Sequence, residues 1–228
     1  MQPKPMNAYS RTRMLTTLAI LSSIAYVLWA VARVPMLSAG PLVLRYDPGD
    51  VILAFAGFIF GPMAVLAMSI VVAFAQMVTI SETGLVGFVM NVISSVSFVC
   101  VAAYVYKKQK SLKGAVLGLI LGILLMTAVM MLWNFILTPI FMNQPRERVI
   151  PLLATIFLPF NLIKGTINAA LILILYKPLI RALRSARMLP ERELRSENPV
   201  RINIGVVLVA CLVLITCVLV VLILQGVI

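Results

Sequence analysis

The chain alternates between long apolar runs and short polar segments. Seven apolar runs predict helices, and each except the second is long enough to cross a lipid bilayer, which takes about 20 residues. Gly61 and Pro62 end the short second helix before the third begins. In chain order, the predicted helices span 14–32, 50–60, 63–80, 85–106, 114–141, 152–176 and 202–224.

The polar segments divide these helices into a bundle and an added helix. The first polar segment, 33–49, is rich in proline and glycine and is too long and polar for a simple hairpin. A second polar loop spans 143–149. We therefore predict a six-helix membrane domain over 1–183, a basic linker over 184–201 and an extra C-terminal transmembrane helix over 202–228.

The composition agrees with this pattern. Of the 228 residues, 62% are hydrophobic and 11% are charged, whereas soluble domains carry about 25% charged residues. The predicted fold class is therefore an all-α integral membrane protein. The first apolar run, from Met14 to Ala32, is longer than the core of a signal peptide, which has about 7–15 apolar residues, so we expect a retained helix.

The basic residues lie at the ends of the apolar runs and predict the orientation. With the N-terminus in the cytoplasm, fourteen of the 19 Lys and Arg residues fall in cytoplasmic segments. Four fall in external loops, namely Arg33, Arg45, Arg146 and Arg148. The positive-inside rule selects this orientation, and seven helices then leave the C-terminus outside. The net charge of +12 thus reports topology and does not indicate a nucleic-acid partner.

Three polar residues share one face of the apolar sixth helix. Asn161, Lys164 and Asn168 lie at i, i+3 and i+7. An intramembrane charge is costly unless it is paired or hydrated, so this lysine indicates a functional site. Asn134 and Asn91 lie at a similar depth on the fifth and fourth helices. We expect them to form an outward-open pocket with Asn161 and Lys164, and we expect the deeper Asn168 to bond between helices.

The sequence offers little for catalysis or metal binding. It contains no histidine, and Cys100, Cys211 and Cys217 lie in apolar runs without metal-ligand spacing. It has no carboxylate pair clustered in a predicted membrane helix, no P-loop and no nucleophile elbow. We therefore expect neither an enzyme, a resident cofactor nor a metal site.

Four segments of the chain form a recognisable set of motifs. The most specific are LWNFILTP at Leu132–Pro139 and PFNLIKG at Pro159–Gly165. The other two are the first helix at Leu18–Leu28 and the loop motif DPGDV at Asp47–Val51 with the FGP of Phe60–Pro62. Together they resemble the riboflavin-specific S component of energy-coupling factor (ECF) vitamin importers, and the resemblance covers about residues 11–183.

The resemblance implies a substrate-binding subunit in a bacterial plasma membrane. Such a subunit has no ATPase activity and docks on a transmembrane coupling subunit served by two ATPase subunits. The resemblance also implies that riboflavin, as transported ligand, is hydrogen-bonded by Asn134, Asn161 and Lys164. The loop residues Leu44, Arg45 and Tyr46, with Asn91 from the fourth helix, would complete the pocket.

The chemistry of these side chains suits a flavin. Asparagine donates and accepts hydrogen bonds and lysine only donates, so together they match the carbonyl–imide edge of an isoalloxazine ring. Apolar neighbours can cover the ring faces, as in most small-molecule sites. The candidates for this cover are Met130, Trp133, Phe135 and Phe160.

Two further motifs have alternative interpretations. Ala19 and Ser23 are small residues four apart, at the position where the family uses an alanine pair to contact the coupling subunit; the alternative is packing within the bundle. Asp47 and Asp50 either cap the second helix or close the loop.

The chain also departs from the family pattern. The seventh helix is not part of it, and Arg45 and Tyr46 replace smaller or apolar loop residues. An S component for another vitamin or for a phosphorylated flavin therefore stays open, and Arg45 favours an anionic ligand. A further alternative is an accessory membrane protein without a ligand, in which the polar stripe only packs helices.

Overall fold

The computed structural model describes residues 8–39, 42–81, 83–186 and 204–226. Two of the seven helices that it describes each contain a π-helical turn, at Val96–Cys100 and at Leu153–Phe157. The elements are α1 Ala8–Val31, β1 Val34–Ala39, β2 Leu42–Tyr46, α2 Gly49–Phe60, α3 Pro62–Thr79, α4 Gly84–Ser95 continued through Val96–Cys100 to Val101–Gln109, α5 Leu112–Met142, α6 Arg146–Leu152 continued through Leu153–Phe157 to Leu158–Ser185, and α7 Ile204–Leu224.

All seven predicted helices are present. Within the described part of the chain, six helical spans are long and apolar enough to cross a membrane, and α2, with 12 residues, is the short exception. The predicted fold class, an all-α multi-pass membrane protein, is confirmed. The predicted basic linker, 184–201, lies almost wholly outside the described residues, and the division of the chain into three parts stays a prediction.

The first polar segment is the largest difference from the sequence prediction. It was expected to be too long and polar for a simple hairpin, yet β1 and β2 pair antiparallel, with Val34 opposite Tyr46 and Ala39 opposite Leu42. Each strand contains a valine, and β2 ends with a tyrosine, residue types that suit half-buried strands. Their pairing satisfies backbone groups that lie against the helices. This hairpin, β1–β2, connects α1 to α2.

The second polar loop is shorter than predicted because α6 begins within it. α5 ends at Met142, and its C-cap residue, Asn143, adopts a left-handed conformation with φ 49°. Helical structure resumes at Arg146, and Glu147 in the first turn complements the positive end of the helix. α6 also continues past its predicted end to Ser185. The π-helical turn at Leu153–Phe157 follows Pro151, which lacks a backbone N–H.

The short helix α2 forms the centre of the bundle. Every residue from Gly49 to Phe58 is buried, because α1, α3, α4 and α6 surround the helix. A helix that is apolar on all sides fits such a position. Asp50, in the first turn of α2, is therefore buried inside the bundle.

Glycines bring α5 close to α4. A methyl group at Gly118 would lie 2.8 Å from the carbonyl oxygen of Ala102, and one at Gly122 would collide with the carbonyl oxygen of Phe98. Phe98 lies in the π-helical turn of α4. The small residues therefore allow the two backbones to approach, as expected for packing within a membrane bundle.

Candidate ligand-binding site

A cavity of about 160 Å³ lies between the β1–β2 hairpin and the ends of α1, α4, α5 and α6. The hairpin contributes Leu44 and Arg45 to its wall. Polar groups come from α4, α5 and α6. Apolar side chains occupy much of the remaining wall, among them Met90, Met130, Leu137, Phe141 and Phe160. This mixture is typical of small-molecule sites.

The cavity brings together six of the seven predicted ligand-binding residues, which are Leu44, Arg45, Asn91, Asn134, Asn161 and Lys164. The seventh, Tyr46, does not line the cavity. Tyr46 packs with Met36 and Phe160, and its hydroxyl donates to Asn168 Oδ1 over 2.6 Å. Whether the six residues contact a ligand stays a prediction.

Asn134 and Asn161 are held by the same local geometry. Each donates one amide hydrogen to the backbone carbonyl four residues earlier, that of Met130 or Phe157, and both distances are 2.7 Å. Asn134 Oδ1 also accepts from the hydroxyl of Thr138 at 3.0 Å. Because a primary amide has two hydrogens and two acceptor lone pairs, these fixed side chains retain capacity for a ligand.

Lys164 has a carboxylate partner that the sequence analysis did not assign. Its Nζ lies 3.6 Å from Asp50 Oδ2, and the two side chains are 8% and 2% exposed. Asp50 Oδ1 also accepts from the Ser95 hydroxyl over 2.5 Å. The pair offsets the cost of a charge inside the bundle. A buried cation on one apolar helix indicates that an anion lies nearby, but the sequence does not indicate that Asp50 is this anion.

Asn168 links this pair to the hairpin. Its Nδ2 donates to the backbone carbonyl of Asp47 at 3.3 Å and approaches Asp50 Oδ2 at 3.5 Å, and its Oδ1 accepts from Tyr46. The expected interhelical hydrogen bond of Asn168 is therefore present. The contacts connect α6 with the end of β2 and with the start of α2, directly beneath the cavity.

Asp47 and Asp50 have different roles. Asp47 Oδ1 accepts from the backbone N–H of Gly49 at 2.8 Å, which fits the capping alternative. Burial raises the pKa of the Asp47 carboxyl to about 6; the nearby Lys164 lowers it and Asp50 raises it. Asp50 instead pairs with Lys164, a role that neither alternative contained.

The aromatic cover differs from the prediction. Met130 and Phe160 line the cavity as expected, and Trp29 and Phe141 join them. Phe135, one of the expected covering residues, instead lies under the guanidinium of Arg146, 5.7 Å from ring centre to Cζ. Trp29 is at the end of α1, beneath the guanidinium of Arg33 at 4.8 Å. Its contribution was missed because no pattern in the first helix marks which face meets the loop.

Asn91 is held by α3. Its Nδ2 donates to Gln76 Oε1 at 2.9 Å, and Gln76 is buried. The bond fixes the Asn91 side chain at the cavity wall between α4 and the hairpin. Gln76 therefore positions Asn91 without lining the cavity itself.

Ala19 and Ser23 lie on a different surface. Both are exposed on α1, and the Ser23 hydroxyl donates to the Ala19 carbonyl at 3.0 Å. Ile20, Ile24 and Val27 are exposed nearby. This face of α1 is therefore not used for packing against the described part of the bundle, which disagrees with the intramolecular alternative.

Comparisons with known proteins identify relatives of the chain. Residues 13–176 match the sequence model of the family described as "ECF transporter, substrate-specific component". The chain is 33% identical over 190 residues to the riboflavin transporter FmnP of Bacillus subtilis (strain 168), an alignment that covers 78% of this chain and 99% of the relative. It is 29% identical over 181 residues to the riboflavin transporter RibU of Staphylococcus aureus (strain TCH60), with 76% and 94% covered.

The fold leads to the same family. A solved structure of the S component of a bacterial ECF transporter superposes with a TM-score of 0.64 and 30% sequence identity, covering 76% of this chain and 98% of that one. The helix α7 lies beyond the residues that the family model matches. The resemblance seen in the sequence is confirmed, and this chain belongs to the family of substrate-specific components of ECF transporters.

Proposed function

We propose that the chain captures riboflavin from outside the cell and delivers it to an ATP-driven ECF importer. The observation that carries the proposal is the convergence of Asn134, Asn161 and Lys164 on one cavity, in a chain whose relatives are named riboflavin transporters. Two amides and an ammonium supply the mixed donors and acceptors that the polar edge of an isoalloxazine ring requires. The protein acts as a binding subunit without catalysis, and riboflavin is its cargo.

The charges around the cavity favour a neutral ligand at its inner end. Asp50 balances Lys164, so an uncharged ring edge meets an ammonium whose charge is already compensated. Arg33 and Arg45 line the outer part of the cavity, and they are the observation that favours a phosphorylated flavin as a second candidate. The phosphate would then lie toward the hairpin and the ring toward Lys164.

Ligand access requires the hairpin to move. The cavity of about 160 Å³ is smaller than the usual lower limit for a small-molecule site, about 300 Å³. The helical wall is fixed by close packing of α4 against α5, whereas the hairpin meets α6 and α7 through a small cluster of apolar side chains and a few hydrogen bonds. An outward shift of the hairpin therefore enlarges the cavity at the lowest cost.

Titration of the purified full-length chain with riboflavin tests the ligand. Binding to a site lined by aromatic and methionine side chains quenches flavin fluorescence. We expect Asn161→Ala and Lys164→Ala each to weaken binding by about tenfold or more, because each leaves a buried ligand group without its partner. Thr166→Val is the matched control on α6, since Thr166 bonds only the carbonyl of its own helix at Leu162 in the contacts described.

The outcomes separate the ligand from the site. Absence of quenching by the unaltered chain contradicts riboflavin as the ligand. Quenching that survives both alanine variants at full affinity contradicts the site. Competition by riboflavin 5′-phosphate at equal or higher affinity assigns the phosphorylated flavin as the ligand.

The exposed face of α1 is proposed to dock on the transmembrane coupling subunit, which two ATPase subunits serve. Ala19 and Ser23 are small and exposed, so a helix of another subunit can approach α1 closely there. The N-terminus of α1 lies in the cytoplasm in this arrangement. We expect Ala19→Trp to abolish riboflavin uptake by cells without changing binding, and Leu124→Trp, on an exposed face of α5, to preserve both. Uptake at the unaltered rate in Ala19→Trp cells is the result that excludes this docking face.

A further inference from the structure

The strand β1 contains an irregularity where it faces α7. Pro35 pairs with Arg45 and Leu37 pairs with Leu44, so Met36 is an extra residue that has no partner in β2. Such a bulge turns a side chain and frees backbone groups from the ladder. The Met36 side chain is 3% exposed and packs with Phe160 and Ile167 of α6.

The end of α7 bonds to this irregularity. Gln225 Nε2 donates to the carbonyl oxygens of Pro35 at 2.9 Å and Met36 at 3.1 Å. One side-chain amide thus spans the two carbonyls at the point where the ladder is interrupted. A primary amide has two hydrogens, which matches the two acceptors.

Apolar contacts accompany these hydrogen bonds. Cys217 and Val221 of α7 pack against the cluster formed by Met36, Phe160 and Ile167. Leu44, which lines the cavity from β2, packs against the same cluster. The hairpin therefore touches the cavity on one side and α7 on the other.

We propose that α7 is a latch that holds the hairpin closed, with Gln225 as the positioning residue, and that it sets the rate at which ligand exchanges. The inference rests on the proposed function, since it takes the cavity under the hairpin as the ligand site. Opening the hairpin breaks the two Gln225 hydrogen bonds and separates Val221 from Met36. These contacts exist whether or not the cavity is filled, so they raise the barrier in both directions. They leave the binding equilibrium nearly unchanged.

Stopped-flow fluorescence of riboflavin binding to the full-length chain measures both rates. We expect Gln225→Leu to raise the association and dissociation rate constants together, by about fivefold, which is the effect of losing two exposed or partly buried hydrogen bonds at the low end of the usual net range. The dissociation constant should stay within about twofold. Gln225→Glu, which has no donor at neutral pH, should behave like Gln225→Leu, and Gln225→Lys, which keeps a donor, should stay close to the unaltered chain. Thr216→Val on α7 is the control, because Thr216 bonds the Leu212 carbonyl of its own helix.

Hydrogen exchange in the absence of ligand provides a second measurement. We expect the backbone amides of Val34–Ala39 and Leu42–Tyr46 to exchange about fivefold faster in Gln225→Leu than in Thr216→Val. This measurement does not depend on which ligand binds. If riboflavin fails to bind, the proposed function is contradicted, and the hydrogen-exchange rates still test the latch. Equal hairpin exchange in the two variants overturns the latch. The latch is also overturned if Gln225→Leu lowers the affinity for riboflavin without changing the association rate, because that result assigns Gln225 to the ligand site.

Discussion

Removing either member of the Asp50–Lys164 pair should destabilise the ligand-free protein by different amounts. At the 3.6 Å separation of Nζ and Oδ2, an effective dielectric constant near 20 gives a coulombic attraction of roughly 5 kcal/mol. Asp50→Asn removes the partner of Lys164 and leaves its ammonium buried, a change that typically costs about 3–5 kcal/mol. Asp47 lies close enough to Lys164 to compensate part of the uncovered positive charge. We therefore expect Asp50→Asn to lower the free energy of unfolding by about 3 kcal/mol.

Lys164→Met should cost less. The remaining Asp50 carboxylate keeps the hydroxyl of Ser95 at 2.5 Å and the amide of Asn168 at 3.5 Å, and these dipoles stabilise its charge. The methionine also fills most of the volume of the lysine stem. We expect Lys164→Met to lower the free energy of unfolding by about 2 kcal/mol, the typical cost when a buried polar group loses one of several partners.

The double variant distinguishes a true pair from two independent sites. Asp50→Asn with Lys164→Met leaves no net charge from either residue, so its cost should be about 2–3 kcal/mol smaller than the sum of the single variants. Unfolding in mixed detergent micelles measures the free energies of the unaltered chain, the two single variants and the double variant, and the Thr166→Val protein is the control for an unrelated substitution on α6. Additivity within about 0.5 kcal/mol would show that the two charges do not stabilise each other. The explanation of how the bundle tolerates Lys164 would then be refuted.

Two smaller perturbations test the packing and the charge beside the cavity. Gly122→Ala should destabilise the bundle by about 2 kcal/mol or more, because the added methyl group meets the carbonyl oxygen of Phe98. Leu121→Ala, on the exposed face of the same helix, should cost far less. Equal melting temperatures for the two variants would contradict the close approach of α5 to α4. The raised pKa of Asp47, about 6, means that its stabilising contribution is present below pH 3.8 and is lost as the pH rises through 6. Asp47→Asn should therefore raise the melting temperature at pH 7.5 relative to the unaltered chain, and the difference should shrink at pH 5. A constant difference at both pH values would exclude titration of Asp47 as its cause.

Helix positions follow from the sequence because the bilayer imposes one requirement on every span. A run of about 20 apolar residues must satisfy its own backbone, and only a helix does so within one segment. The bounds of α3 and α7 therefore lie within a few residues of their predicted values. The same reasoning gave no information about 33–49, where the backbone is satisfied by pairing between β1 and β2.

The site was predictable where polar residues interrupt apolar helices, and less so elsewhere. Asn134, Asn161 and Lys164 stand out because each carries a cost that an apolar residue would avoid. Trp29 gives no such signal, since aromatic residues occur at the ends of many membrane helices. The pairing of Asp50 with Lys164 depends on how α2 inserts between α1, α3, α4 and α6, and this packing is a tertiary property.

The contacts of Lys164 explain how one residue can serve both the fold and the ligand. An ammonium has three hydrogens, and Asp50 at 3.6 Å compensates its charge without occupying all of them. A ligand carbonyl that reaches Lys164 therefore gains a charge-assisted hydrogen bond, and the site does not have to separate a tighter ion pair first. A ligand carboxylate or phosphate at the same place would compete with Asp50 for the one positive charge. Replacement of Asp50 by asparagine should consequently shift the preference of the site from riboflavin toward an anionic flavin, even while it weakens the fold.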